Sequence, residues 1–201
     1  MSQEDLVQTT FTAAEVRHRL ANLFQLLSTL TRMRMQRSSD PHTRHALGSV
    51  LEAVNVLGVL QQHMSGAEGG DFAAFLKDMV PQWRRGIGAR PIQLDIDVNS
   101  LVVREQLASA LAIIANELVV NAIAHAYPGE RSGAVRVELV SLGGGRAALS
   151  VSDDGEGYDE TVQDRTKLGL WLVRGLADQV RGRLTTTTNG GVTVRLEFLV
   201  G

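Results

Sequence analysis

Apolar residues at Val16, Leu20, Leu23, Leu27 and Leu30 recur in steps that alternate four and three. That is the seam of a helix built to pack in a bundle. Thr12-Ala13-Ala14-Glu15 opens the helix as a capping box, in which the hydroxyl and the carboxylate each take a backbone N–H that the first turn leaves free. Phe11 and Val16 occupy the staple positions around it. Ser38-Ser39-Asp40-Pro41 stops this helix and starts another, with Asp40 as N-cap and Pro41 in the first turn. The second helix carries Leu47, Val50, Leu51, Val54, Leu57 and Leu60, so the chain from Thr12 to about Met64 predicts an antiparallel helical hairpin. One hairpin cannot cover both of its apolar stripes, which predicts a second copy or another domain against it. Ser65 to Gly70 (SGAEGG) is small and flexible, a linker.

Beyond the linker the pattern changes. Asp71 to about Met79 reads as a helix that Pro81 ends or kinks. Ile92, Leu94, Ile96 and Val98 alternate with polar residues, a strand with one buried face. Glu105 to Ala126 is a long apolar helix, buried on most sides. Val135, Val137, Leu139 and then Ala147, Leu149, Val151 alternate on either side of Gly143-Gly144-Gly145, which predicts a β-hairpin. Leu168 to Val180 is helical, and Arg183–Thr188 and Val192–Leu199 are strands joined across the turn signal Asn189-Gly190-Gly191. The fold class is α+β: an antiparallel helical hairpin (a four-helix bundle if dimeric), then an α/β sandwich with a largely antiparallel sheet. The division falls between residues 1–66 and 71–201.

Composition narrows the function without naming it. The chain has 201 residues, 44% hydrophobic and 21% charged, the make-up of an ordinary globular protein. It has no cysteine, which removes disulfides and thiolate metal sites. A net charge of −2 argues against a nucleic-acid partner. Charges interrupt the apolar stretches every few residues, so no span of about 20 residues and no membrane insertion is expected. The acidic, polar start MSQEDLVQTT is unlike a secretory signal, and the expected location is cytoplasmic.

Two segments carry candidate chemistry. Asp153-Asp154-Gly155-Glu156-Gly157 follows a strand and reads either as a surface turn or as a nucleotide pocket. In the second reading the carboxylate at the strand end accepts from an adenine amino group, and the glycines let the ligand approach the backbone. Gly169, beside the start of the next helix, suits phosphate. There is no P-loop and no dinucleotide-binding glycine fingerprint. Glu117, Asn121 and His125 fall at i, i+4 and i+8, one polar stripe on an apolar helix. Buried polar groups need partners. The stripe is either an edge bonded to a neighbouring loop or a magnesium and phosphate face, with Asn121 offering a neutral oxygen to a hard cation. In the hairpin, His18 points away from the seam, Asn22 shares its face one turn later, and Gln25 follows. A lone surface histidine is ordinarily just solvated, and His42, His45 and His63 are read that way.

The motif N-E-L-x-x-N-A-x-x-H from Asn116, then D-x-G-x-G from Asp153, then L-G-L-x-L-V from Leu168, resembles the ATP-binding domain of the histidine kinase branch of the GHKL superfamily. That resemblance covers roughly Asp71 to Gly201. Upstream, Glu15-Val16-Arg17-His18-Arg19-Leu20-Ala21-Asn22 resembles the E-x-x-H-R-x-x-N box of HWE-like and related histidine kinases. It implies a phosphotransfer and dimerisation hairpin followed by a GHKL-type catalytic domain.

The roles that follow are those the resemblance implies. His18 is the phosphoacceptor, neutral when it attacks. Glu15 orients it or takes its proton, Asn22 supports it, and Arg17 and Arg19 stabilise phosphate charge. Glu117 stands near the γ-phosphate and Asn121 ligates Mg2+. Asp153 reads adenine. Gly155, Gly157, Gly169, His125 and Lys167 shape the pocket, with a short lid at about Tyr158 to Thr166. The implied cofactors are ATP and Mg2+, used by positioning and charge stabilisation. Three positions depart from the family pattern. Ala124 stands where many relatives carry lysine, Lys167 replaces the first glycine of the G-x-G-L box, and Gly190-Gly191-Val192-Thr193 displaces the usual threonine.

The expected function is a sensor-less histidine kinase that autophosphorylates His18 and passes the phosphoryl group to a response-regulator receiver aspartate. Input would come from a separate sensor protein. The chain is expected to pair as a homodimer through the hairpin, or to pack the hairpin on its own ATP domain. A receiver would dock on Gln25, Ser28 or Thr29, and Arg32. Two rivals stay open: a histidine phosphotransferase with a degenerate ATP domain, which relays phosphate between receivers without using ATP, and an ATP-bound adaptor or anti-σ-type serine kinase, whose relatives lack the His18 helix.

Overall fold

The computed structural model describes residues 12–64, 69–129, 131–157 and 167–200. Helix α1 spans Ala13–Arg37 and opens on the capping box: Glu15 N donates to Thr12 Oγ1 at 3.2 Å, and Thr12 N donates to Glu15 Oε2 at 2.8 Å. The staple residue Phe11 lies outside the described residues. Helix α2 spans Pro41–Leu60, with the backbone N–H groups of His42 and Thr43 held by the Asp40 carboxylate.

The hairpin forms, but not along the expected seam. The face of α1 turned to α2 carries the half-buried Leu20, Phe24, Ser28, Thr31 and Met35, and Ser28 Oγ donates to Asn55 Oδ1 at 3.1 Å. Of the expected stripe, Val16, Leu23, Leu27 and Leu30 remain 44–54% exposed. The reason is the direction of α2. Its most apolar side, with Val56 and Leu60 fully buried, faces the rest of the molecule and leaves a mixed surface for α1.

Helix α3 spans Phe72–Ile87, starts from the Asp71 N-cap, and runs straight through Pro81 instead of ending near Met79. A proline inside a helix costs about 3 kcal/mol. Continuing buries Trp83 and Ile87, each contributing about 1.5–3 kcal/mol, and the packing wins. Trp83 Nε1 donates to the buried Asn116 Oδ1 at 3.1 Å. Arg90 then closes the helix end by donating to the carbonyls of Ile87, Gly86 and, at 2.6 Å, Ile123.

A two-residue ladder, β1 (Gly70–Asp71) against β3 (Val102–Val103), ties the start of this half together. The main sheet holds β2 (Ile92–Val98), β4 (Gly133–Gly143), β5 (Arg146–Asp153), β6 (Arg183–Thr188) and β7 (Val192–Leu199) in the order β2-β4-β5-β7-β6. Only β2 and β4 are parallel, and the crossover between them is helix α4 (Glu105–His125). Helix α5 (Lys167–Gln179) crosses from β5 to β6. One sheet face, with Val135, Val137, Leu139, Leu149, Val151, Val194 and Leu196, forms the core with the helices. The other is polar, with Arg195 donating to Ser150 and Glu197.

Helix α4 is the centre of the core, and it corrects the expectation about apolar stretches. By length and composition alone it could cross a membrane, yet 61% of its apolar window is buried inside this fold. The second helix of the hairpin lies antiparallel on it, with Gln61 Nε2 donating to Glu105 Oε1 at 2.6 Å. One of the hairpin's two apolar stripes is thereby covered by the same chain.

We expect Trp83→Phe to lower unfolding free energy by about 1–3 kcal/mol, because it leaves the buried Asn116 carbonyl unpaired. Urea titration should show a lower midpoint with an unchanged slope.

Candidate functional site

An apolar pocket opens between α4, the end of β5 and β7. Leu118, Ala122, Val151, Leu170, Val192 and Val194 wall it, with Asn121, His125, Asp153 and Gly157 at its polar margin. Both backbone bonds to Asp153 go to one oxygen: Gly155 N donates to Oδ1 at 3.0 Å and Val192 N at 3.3 Å. Among the described residues no hydrogen bond reaches the other oxygen, and Asp153 lines the pocket. Burial pushes the Asp153 carboxyl above its ordinary range in spite of these two donors.

The neighbouring carboxylate is held in the opposite direction. Asp154 Oδ1 accepts from Ala134 N at 2.8 Å, the main reason its carboxyl lies below the ordinary range. The Tyr127 hydroxyl stands 2.9 Å from the same oxygen and 2.7 Å from the Ala134 carbonyl. Burial first, and then Asp154, pushes the phenol upward. Asp154 thus fastens the end of α4 and the start of β4 to the end of β5, so that Asp153 is rigidly presented. Sequence reasoning missed Asp154 and Tyr127. The doubled aspartate was the one visible signal.

The glycines serve this fastening. A Cβ on Gly155 would come within 2.3 Å of the Ala126 carbonyl, and one on Gly191 within 1.9 Å of the Asp153 carbonyl. Gly169 lies in the first turn of α5, and a Cβ there would stand 2.8 Å from Glu117 Oε2 and 3.4 Å from Asn121 Nδ2. Its place is in the first turn of α5 and at a close approach of two helices over the polar stripe.

The stripe itself divides. Asn116 is occupied by Trp83 and is structural. Glu117 is buried, and its carboxyl is pushed up by that burial and next by the charge of Glu52 on α2. Asn121 Nδ2 is buried without a hydrogen-bond partner among the described residues, so it lacks what a ligand would supply. His125 is exposed at the pocket margin. Among the described residues no group of three or more acidic or histidine side chains could hold a metal ion. The donor set therefore fits Mg2+ only as a phosphate-bound ion steadied by Asn121. Val192, not Thr193, lines the pocket, so the displaced threonine is absent from it. The lid Tyr158–Thr166 and the side chains of Lys167 and Arg17 lie outside the described residues.

On the hairpin, His18 is exposed and its Nδ1 stands 3.3 Å from Asn22 Nδ2. Glu15 is engaged by the cap, where the Thr12 backbone N–H holds its carboxyl below the ordinary range. Among the described residues, Asn22 stands within hydrogen-bond distance of His18. Its amide donates into the Nδ1 lone pair, and turned over it accepts an Nδ1–H and leaves Nε2 free to attack. His18 lines neither the pocket nor the cleft beside it. The Ser28–Asn55 and Gln61–Glu105 bonds set the register of three antiparallel helices. At 1.5 Å per residue they put His18 about one turn beyond the start of α4, about 30 Å along the axis from Asn121.

Comparison with known proteins agrees with the motifs. A family profile described as "Histidine kinase-like ATPase domain" matches residues 95–198, and one described as "Histidine kinase" matches residues 15–85. "Blue-light-activated histidine kinase 2" of Erythrobacter litoralis is 25% identical over 190 residues, covering 90% of this chain and 54% of that protein. The "Sensor histidine kinase PdtaS" of Mycobacterium tuberculosis is 28% identical over 181 residues, covering 85% of this chain and 35% of that protein. The chain thus spans between about a third and a half of these relatives. The solved histidine kinase domain of an Erythrobacter litoralis blue-light-activated kinase superposes with a TM-score of 0.71 at 18% identity, covering 92% of this chain and 94% of that one. That superposition supports the α+β fold with its N-terminal hairpin.

Glu117 gives a test of the site's cost. A carboxyl raised in the folded state adds no penalty below its ordinary pKa near 4.3, and stability is lost as pH rises through the raised folded value. We expect Glu117→Gln to raise the thermal midpoint of the ligand-free protein at pH 7. The gain should vanish at pH 4, where the native carboxyl is already protonated.

Proposed function

The chain belongs to the histidine kinase family, and from that premise we propose that it binds Mg-ATP, autophosphorylates at His18 and passes the phosphoryl group to a response-regulator receiver aspartate. One observation carries this reading. A half-buried Asp153 and an orphaned Asn121 amide face the same pocket, in a chain that also presents an exposed histidine steadied by Asn22. We assign residues 1–66 as the phosphotransfer and dimerisation half and residues 71–201 as the nucleotide half. Adenine fits the apolar pocket, with its amino group donating to the free oxygen of Asp153. Asn121 steadies the phosphate-bound Mg2+ and Glu117 lies beside the γ-phosphate. In the transfer step a His18 ring nitrogen bonds to the γ-phosphorus, the bond to the ADP oxygen breaks, and the ring proton leaves to solvent or to a nearby carboxylate.

Because His18 and Asn121 stand at opposite ends of α4, transfer requires either a shift of the hairpin or the pocket of a second copy. The open stripe of α1 supports a second copy. Leu23, Leu26, Leu27, Leu30 and Met33 are all more than two-fifths exposed, a contiguous apolar face of the kind soluble monomers rarely leave bare. The receiver has a groove of ≈ 950 Å³ between the hairpin and α3. Gln25, Ser28, Thr29 and Arg32 line it on α1, with Asn55 and Arg85 opposite.

Labelling with γ-phosphate-labelled ATP followed by acid is the deciding experiment. We expect acid-labile label on the wild type and none on His18→Gln, whose ATP affinity should be unchanged. Acid-stable label, or equal label on the variant, overturns the assignment. Wild-type Mg-ATP affinity should lie between about −4 and −8 kcal/mol, and calorimetry should show Asp153→Asn weakening it at least tenfold with little change in folding.

Two further outcomes test the partners. Leu26→Glu with Leu30→Glu should shift the sedimentation mass to that of one chain. Arg32→Glu should block transfer from labelled protein to a receiver while His18 labelling survives; normal transfer by this variant would place receiver docking on the nucleotide half.

A further inference from the structure

The nucleotide pocket does not end at Asn121. It continues into a second cleft of ≈ 660 Å³ between α2 and α4, and Asn121 and His125 line both. The two spaces differ in chemistry. The first is walled by aliphatic side chains, whereas the cleft is lined by His42, Arg44 and His45 of α2 across from Ala124 and His125 of α4. Small residues keep it open. Gly48 of α2 would meet nothing within 4 Å if it carried a Cβ, and Ala124 offers no reach from the other wall. The carboxylates of the cleft, Glu52 and Glu117, are close enough for Glu52 to raise Glu117. Antiparallel packing of α2 on α4 sets that pair apart, two turns along α2 from His45. Burial pushes the Glu52 carboxyl up and His45 draws it partly back down, so the cleft grades from the carboxylate pair to the cationic residues at the start of α2.

A nucleotide whose base bonds Asp153 must send its phosphates past Asn121 and out into this cleft. Among the described lining residues Arg44 is the only lysine or arginine there. We propose that α2 forms the far wall of the phosphate subsite, with Arg44 and His45 supplying, across the cleft, the positive contact that Ala124 does not. The inference rests on the nucleotide reading above and adds to it a ligand contact from the hairpin. Arg44 carries a permanent charge in a planar fork suited to phosphate, and His45 adds a ring N–H. The consequence is a nucleotide-loaded state in which the hairpin is held against the pocket by α2 while His18 is kept at the far end of α4. Transfer then begins with release of this contact.

Calorimetric titration of the full chain with Mg-ATP and, separately, with adenosine tests this. For the double variant Arg44→Ala/His45→Gln we expect Mg-ATP affinity to fall about tenfold, the loss expected of one charge-assisted contact. Adenosine affinity and the ligand-free melting temperature should be unchanged, since both side chains are exposed. Adding Ala124→Lys to the double variant should restore most of the Mg-ATP affinity. If wild-type protein binds both ligands and the double variant binds Mg-ATP as tightly as wild type, α2 is not part of the subsite. An equal loss for ATP and adenosine overturns it as well, because the effect would then be on the pocket as a whole. If neither ligand binds wild-type protein, the nucleotide reading falls and this inference falls with it.

Discussion

A helix that is apolar almost all round has to be covered on every side, and α4 is such a helix. Ala108, Leu111, Ala112, Ile114, Ala115 and Val119 are fully buried on it, more than one amphipathic stripe can account for. The sheet covers one side, and α3, α5 and α2 cover the rest. Much else follows. Since α2 is spent on α4, α1 meets only its remaining flank, and the leucine stripe of α1 is left exposed. The buried polar residues on α4 lie at seams between covering elements. Asn116 is taken up by Trp83, while Glu117 and Asn121 lie where α5 and α2 leave a gap. The pocket is therefore a defect in the cover of α4 that the fold keeps open.

Two adjacent carboxylates show how that gap is tuned. Asp154 is exposed to donors and drawn down, so at neutral pH it is a fixed anion that ties three elements together. Asp153 is half-buried, with its two donors on one oxygen, and is drawn up. One acts as a fastener and the other as a presented acceptor. The division arises from burial and backbone geometry alone, since the two residues are chemically identical. Glycines at 155 and 191 are what let the strand ends close this tightly around them.

The hairpin has two separate jobs on its two helices. Helix α1 carries the exposed His18 and the open apolar stripe, so it faces outward. Helix α2 faces inward, to α4 and the cleft. An antiparallel hairpin fastened to α4 near Glu105 necessarily carries His18 away from Asn121. Under the proposed function, transfer within one chain therefore needs the interface of α2 with α4 to change, whereas transfer into a second copy's pocket does not.

Local chemistry by itself determined a good deal of this protein. The Thr12 and Asp40 caps, the glycine turn at 143–145 and the alternation in β2, β4, β5 and β7 placed most elements near their observed ends. The order of four short motifs was enough to give the resemblance to histidine kinases that the family profiles bear out. These signals are legible because caps, turns and alternation depend on residues within a few positions of each other. What only the tertiary structure decided depends on distant partners. Pro81 stays inside a helix because Trp83 and Ile87 have a core to enter, which a local rule about proline cannot know. The seam of α1 moved to Phe24, Ser28 and Thr31 because α2 was already committed elsewhere. Asp154 became structural because Tyr127 and Ala134, some twenty and more residues away in the chain, converge on it. His42 and His45 read as solvated surface, and Arg44 drew no reading, until α4 was found across from them, because a cleft belongs to two helices at once and is written in neither.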